Sequence, residues 1–231
     1  GTINNTSNPT ARNTAVIYNS GTVNMSGGTI IKRKDGDGFC IQNINQTNIT
    51  GGTIDSTSDY TIRNIGELAI DGGIIKGETS VHNSGKTTIR DGELIGNKRG
   101  IYFSYYSEEL NLEIVIEGGK IEGGEYGIYA QYTTTIEIND GIIEGNKYYG
   151  IYAPDSTNIT IKGGSVTGKN SGIYADNTAS IKIDDGIIEG NEYYGIKNIS
   201  AETNIIIGNE TQDLLKPQIV GGTQGIHTDD E

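Results

Sequence analysis

The amino-acid sequence predicts an all-β fold, a right-handed parallel β-helix (β-solenoid) with three strands per coil and about ten coils. Three observations predict it. Gly-Gly or Asp-Gly doublets recur along the chain, ending at Gly28, Gly52, Gly73, Gly92, Gly119, Gly141, Gly164 and Gly186, in steps of 19 to 27 residues. A fixed period in this range marks a stack of identical supersecondary units. Around each doublet apolar and polar residues alternate, the period of a strand with one buried face. The composition suits a narrow aliphatic core: 33% hydrophobic and 7% aromatic residues, no Trp, but 35 Gly. No Gly-X-Y period accompanies the glycine, which excludes collagen, and the regular Ile spacing excludes disorder.

Each coil reads in the same order. The strand before the doublet turns a pair of apolar residues inward: Val23 and Met25, Leu68 and Ile70, Ile114 and Ile116, Ile136 and Ile138, Ile159 and Ile161, Ile181 and Ile183, Ile205 and Ile207. The strand after it has the form x-Ile-x-Gly and contributes Ile30, Ile54, Ile75, Leu94, Ile121, Ile143, Val166 and Ile188. A third strand supplies Ile17, Ile41, Ile62, Val81, Ile101, Ile128, Ile151, Ile173, Ile196 and Ile226. Glycine stands at the corners because tight bends need positive φ or close backbone approach. After the third strand come Asn19, Asn43, Asn64, Asn83 and Asn198, with Ala130, Ala153 and Ala175 replacing Asn in later coils. Stacked coils place these amides above one another, where each bonds its own bend and the next Asn. At a coil rise of about 4.8 Å, ten coils make a rod about 45–50 Å long. Residues 1–231 read as a single β-helix domain. Solenoid ends need caps, and neither end reads as one, so the chain is expected to be a piece of a larger surface protein, with end-to-end association of monomers as its hazard.

The net charge of −13 argues against nucleic acid, which is held by basic stripes, and against anionic membranes. It is compatible with neutral glycans, cations or basic partners. A single cysteine, Cys40, excludes an internal disulfide and a cysteine metal cluster. No stretch is long and apolar enough to insert in a membrane.

The doublet-plus-Ile repeat, its spacing near 22 residues and the Asn ladder resemble the pectate-lyase-like parallel β-helix superfamily. The resemblance covers nearly the whole chain and lies in the scaffold. It implies the company of polysaccharide lyases, glycoside hydrolases, phage tailspikes and bacterial adhesins. The Gly-Gly-Thr-Ile segments at Gly27–Ile30 and Gly51–Ile54 look most like large surface proteins of Gram-positive bacteria, which implies an extracellular, cell-surface location.

The outward residue of the third strand carries the most specific signal. Its column reads Tyr18, Gln42, Arg63, His82, Tyr102, Tyr129, Tyr152, Tyr174, Lys197 and His227. Tyr126, Tyr149 and Tyr194 stand two residues before the inward Ile, with Gly127, Gly150 and Gly172 expected to leave room beside the rings. Stacked tyrosines stabilise a sheet by burying area against one another. A stripe of this length is also the expected platform for a glycan or another surface ligand, so Tyr102, Tyr126, Tyr129, Tyr149, Tyr152 and Tyr174 are the candidate binding residues.

Asp35 and Asp37 are spaced like the first ligands of a calcium loop, without the later ligands. They are the candidate metal residues; no other cofactor is expected. Glu122, Glu144 and Glu189 form an acidic row interrupted by Thr167, its repulsion relieved by Lys147, Lys169 or a cation. Three irregular segments leave the coil pattern, at 32–38, 103–109 and 209–218. For catalysis, glycoside hydrolysis needs paired carboxylates. Asp91, Asp140 and Asp185 precede corner glycines and read as turn residues. His82 and His227 share a column on distant coils. The reading that follows is a non-catalytic, adhesin-like extracellular rod that binds carbohydrate or protein along its tyrosine face. The alternatives are a polysaccharide-degrading enzyme with a diverged site and a structural spacer.

Overall fold

The computed structural model describes residues 1–5, 14–33, 38–104, 112–177, 180–208 and 216–228. These residues form a right-handed parallel β-helix of 23 strands. Every strand pairs in parallel with the equivalent strand of the next coil, which builds three faces.

Face one holds residues 22–25, 46–49, 67–70 and 86–89, then Leu112–Ile116, Thr134–Ile138, Thr157–Ile161, Ser180–Ile183 and Asn204–Ile207. Face two starts at Thr2–Asn5 and runs through residues 29–32, 53–56, 74–77 and 93–96 to Lys120–Gly123, Ile142–Gly145, Ser165–Gly168, Ile187–Gly190 and Gln218–Gly221. Face three runs from Thr14–Asn19, Gly38–Asn43 and Ile62–Asn64 through residues 79–83 and 99–103 to Tyr126–Ala130, Tyr149–Ala153, Ser171–Ala175, Tyr194–Asn198 and Gln224–Thr228. Faces two and three are thus ten rungs deep and face one nine. In two coils the chain stays extended around both corners, as the strands Glu67–Asn83 and Lys86–Phe103.

The predicted inward ladders stack in register and form one continuous core. Two rungs of face one depart from the aliphatic rule. Thr47 and Thr87 occupy the inward column between Val23, Leu68 and Ile114, and both are buried. Their hydroxyls bond the neighbouring Asn ladder: Asn19 Nδ2 donates to Thr47 Oγ1 at 3.1 Å, and Thr87 Oγ1 donates to Asn83 Oδ1 at 2.9 Å. At the last described coil Ile207 and Ile226 hold core positions but are exposed, because no described coil covers them.

The Asn ladder runs Asn19 to Asn43 to Asn64 to Asn83, each amide donating to the next carbonyl oxygen at 2.8, 2.8 and 2.9 Å. Phe103 then takes the position above Asn83 and ends it. The ring is fully buried, and the small Ala130, Ala153 and Ala175 follow beneath the next rungs.

The corners have two distinct causes. At the doublets the second glycine adopts positive φ, as at Gly141 with φ 107°, and the preceding Asp closes the bend: Asp140 Oδ1 accepts from Gly141 N at 2.7 Å. Asp91 does the same for Gly92. The glycine ending face two answers to sterics instead, because the chain folds back on itself there. No helix in the described residues is long and apolar enough to cross a membrane.

Candidate binding face

Face three carries the predicted column residue for residue. The backbone register runs Tyr18, Gln42, Arg63, His82, Tyr102, Tyr129, Tyr152, Tyr174, Lys197, His227. Parallel in-register pairing sets successive rings one coil apart, which is stacking distance for aromatic groups. Ring centroids of Tyr102 and Tyr129 lie 5.4 Å apart, Tyr129 and Tyr152 5.0 Å, Tyr152 and Tyr174 5.1 Å. The second column packs beside the first: Tyr126 meets Tyr129 at 5.3 Å and Tyr152 at 5.4 Å, and Tyr149 meets Tyr174 at 4.9 Å. All six candidate tyrosines are brought together in one sheet of rings. They are half-buried, because each ring covers its neighbours.

The row extends further than the spacing indicated. Phe39, Tyr60 and His82 continue it toward the first coils, with Tyr60 4.4 Å from His82 and 6.2 Å from Phe39. Tyr60 stands in the irregular link before the short strand Ile62–Asn64, outside any strand register, so no periodicity could place it. Toward the last coils Tyr194 stacks on His227 at 4.5 Å.

Gly127, Gly150 and Gly172 have a different role from the one expected. They do not leave space for rings. A Cβ on Gly127 would lie 2.7 Å from both Gly150 O and Ile143 Cγ2, and Gly150 and Gly172 are equally confined. The constraint comes from the core side and the next coil.

Cations lie on the rings. The Arg99 guanidinium stands 5.0 Å from the Tyr102 ring and 5.1 Å from Tyr129. Lys197 Nζ is 5.8 Å from Tyr174 and 5.9 Å from Tyr194. Such contacts combine ring-quadrupole attraction with packing of the apolar stem. Burial pushes the Tyr126 hydroxyl up to about 12, with the Glu125 charge adding to it, and burial also raises Tyr102, Tyr149 and Tyr152. The hydroxyls are therefore neutral hydrogen-bonding groups at physiological pH.

His82 is half-buried between Tyr60 and Tyr102, its Nε2 against Ser104 Oγ and its Nδ1 enclosed without a hydrogen-bond partner. Burial, then the charges of Arg63 and Arg99, push it down to about 4. An unfolded histidine takes its proton near pH 6.5. Protonation therefore favours the unfolded chain. The stability from a neutral His82 is whole above about pH 6.5 and is lost as pH falls toward 4, on the order of 2 kcal/mol. Glu78, Glu122 and Glu137 are held down by hydrogen bonds to Lys98, Lys120 and Lys162, so their contributions fade only at lower pH. Chemical unfolding of wild type and His82→Phe at pH 7 and 4.5 separates the two. The variant should lose most of the slope in this window, and an unchanged slope would exclude His82 as its source.

The acidic row of face two stacks as predicted, Glu122 on Glu144, then Thr167 and Glu189. Its relief comes from elsewhere. Lys120 Nζ bridges Glu122 at 3.0 Å and Glu144 at 2.9 Å, while Lys169 pairs with Glu192 and Lys147 lies over the Tyr148 ring. Lys120 and Glu122 are two residues apart on one strand and so share a face, a signal available in the sequence. Asp35 and Asp37 lie outside the described residues, as do most of the irregular segments they belong to and most of 103–109 and 209–218.

Residues 22–213 match the family model of NosD, whose description reads Periplasmic copper-binding protein (NosD). Searches of curated proteins and of solved structures gave no match. Copper is bound by thiolate, thioether and imidazole groups brought together. The described residues do not fit it. No group of three or more His, Cys, Asp or Glu among them could hold a metal ion. Cys40 is fully buried and its thiol is pushed up to about 12 by burial. His82 and His227 are six rungs apart, about 29 Å at the coil rise.

Proposed function

The chain belongs to the NosD family of right-handed, pectate-lyase-like β-helices, and from that premise we propose that it is a non-catalytic binding module working outside the cytoplasm, with carbohydrate as the ligand of face three. The observation that supports this reading is the continuous sheet of half-exposed tyrosine rings. A sugar presents an apolar C–H face rimmed by hydroxyls. Tyrosine answers both, with a flat apolar ring and a neutral hydroxyl. A rod with its rings in register offers repeated stacking positions at one coil spacing, suited to an extended chain with repeating units. An adhesin-like, cell-surface role is the finer form of the same proposal, and Asp35 and Asp37 remain the candidate calcium residues within it.

The test is a glycan-array screen of the chain with and without calcium, followed by Tyr129→Ala combined with Tyr152→Ala. The double variant is expected to fold, to lose about 2 kcal/mol of stability and to bind any hit at least ten-fold more weakly. Undiminished binding would remove the stripe from the site. A second reading has its own support: the rings stack on one another at 4.9–5.5 Å, as a spacer stabilised by its own ladder would require. A blank array together with the stability loss would favour the spacer.

A further inference from the structure

The charge of this protein is not spread evenly over its faces. Thirty Asp and Glu residues give the chain its net −13, yet none lies in a strand of face three. Faces one and two carry the carboxylates, and their cations are paired with them, as Arg90 with Asp71 and Glu117, and Lys162 with Glu137. Arg99 and Lys197 of face three are placed otherwise. Among the described residues no carboxylate is within salt-bridge reach of Arg99 or Lys197, and both lie on tyrosine rings. Acids stand beside the strands of the face: Glu78, just before residues 79–83, is lowered by its hydrogen bond to Lys98 and in part by the Arg99 charge, Glu125 adds to the burial that raises Tyr126, and Asp155 and Asp176 add to the burial that raises Tyr152.

The ring sheet also has one gap. The second column reads Arg99, Tyr126, Tyr149, Ser171, Tyr194, Gln224. Ser171 stands where the rungs on either side carry tyrosine. The missing ring opens a notch of ≈ 240 Å³ lined by Tyr149, Asn170, Ser171, Tyr193, Tyr194 and Lys197. Tyr149 and Tyr194 are two coils apart, about 10 Å. The notch thus has aromatic walls, the Asn170 amide beside the buried Ser171, and the Lys197 ammonium.

Resting on the carbohydrate reading of face three, we propose that the ligand is an acidic glycan and that this notch is the subsite for one anionic sugar residue. The ring of that sugar packs against Tyr194 and Tyr149, its hydroxyls meet Asn170, and its carboxylate or sulfate pairs with Lys197. Arg99, four rungs away at about 19 Å, meets a second anionic group further along the same chain. An acidic polysaccharide would be repelled by faces one and two, so the charge pattern also fixes which side of the rod it uses.

The test is calorimetric titration of the full chain with three hexasaccharides: a uronic acid hexamer, a sulfated hexamer and a neutral hexamer. At low salt at least one anionic hexamer should bind ten-fold or more tightly than the neutral one, and the stronger of the two identifies carboxylate or sulfate as the recognised group. Lys197→Gln should cut that preference at least five-fold. Ser171→Tyr, which fills the notch with the residue its neighbours carry, should weaken the anionic hexamer at least ten-fold without lowering the thermal unfolding midpoint. If Ser171→Tyr misfolds, Lys197→Gln alone decides. A neutral hexamer binding as well as the anionic ones would overturn the acidic assignment and leave the carbohydrate reading standing. Full anionic preference in Lys197→Gln would overturn the notch. No binding by any hexamer would overturn the carbohydrate reading and this inference with it.

Discussion

Asn64→Ala is expected to destabilise the protein by about 3 kcal/mol, the cost of leaving several buried polar partners unmet plus a small cavity. Asn64 is fully buried and sits in the middle of the ladder. Its amide nitrogen donates to Asn83 Oδ1 at 2.9 Å, to Lys86 O at 2.8 Å and to Gly66 O at 3.1 Å, and its carbonyl oxygen accepts from Asn43 Nδ2 at 2.8 Å. One side chain therefore ties three successive coils. In a solenoid each coil is stabilised only by its neighbours, so the loss falls at one junction and should loosen the coils before it more than those after it. Asn198→Ala is the internal control. Among the described residues its amide nitrogen donates only to Ser200 O and its carbonyl oxygen accepts from Ser200 N at 3.2 Å, a bond within one bend, with Ala175 and Thr228 as ladder neighbours, and about 1 kcal/mol is expected. Denaturant unfolding gives the totals, and hydrogen exchange locates the change. Equal losses for the two variants would mean that the ladder contributes no more than an ordinary bend.

The ladders, the corners and the outward column of face three were legible because an in-register parallel stack repeats one physical rule in each coil. A residue two positions from an inward Ile faces a known way, and its neighbour above is the equivalent residue one coil later. What breaks that rule was not legible. Phe103 ends the Asn ladder from a position where spacing predicts Asn or Ala. Thr47 and Thr87 enter an aliphatic column because their hydroxyls bond the ladder beside them. Tyr60 reaches the aromatic row from an irregular link. Ser171 was visible only as an absence, a tyrosine missing from a column read for its tyrosines. The net charge hid a pattern in a similar way. A sum of −13 describes the whole surface and does not say which columns the charges occupy.

Gly145→Ala is expected to cost about 3 kcal/mol or more, although φ at this residue is not in the left-handed region. The cause is contact. The chain leaves face two at Gly145 and returns four residues later, so that a Cβ on Gly145 would lie 1.7 Å from Tyr149 O and 2.3 Å from Tyr149 C. These are backbone atoms, which no rotamer change can move away. The same corner recurs at Gly123 against Tyr126 O and at Gly190 against Tyr194 O, which is why the sequence ends face two with glycine coil after coil. Relief requires displacing the Tyr149 backbone, and with it a ring stacked 4.9 Å from Tyr174 and 5.5 Å from Tyr152. The change should therefore appear in two observables. Denaturant unfolding should show the stability loss, and near-ultraviolet circular dichroism should show the disturbed tyrosine row without interference, since the chain has no Trp. Gly27→Ala provides the contrast, because an added Cβ there meets nothing within 4 Å, and a change within about 0.5 kcal/mol is expected. If Gly145→Ala were as mild as Gly27→Ala, the corner would have room to open, and face three would not be held in register by its junction with face two.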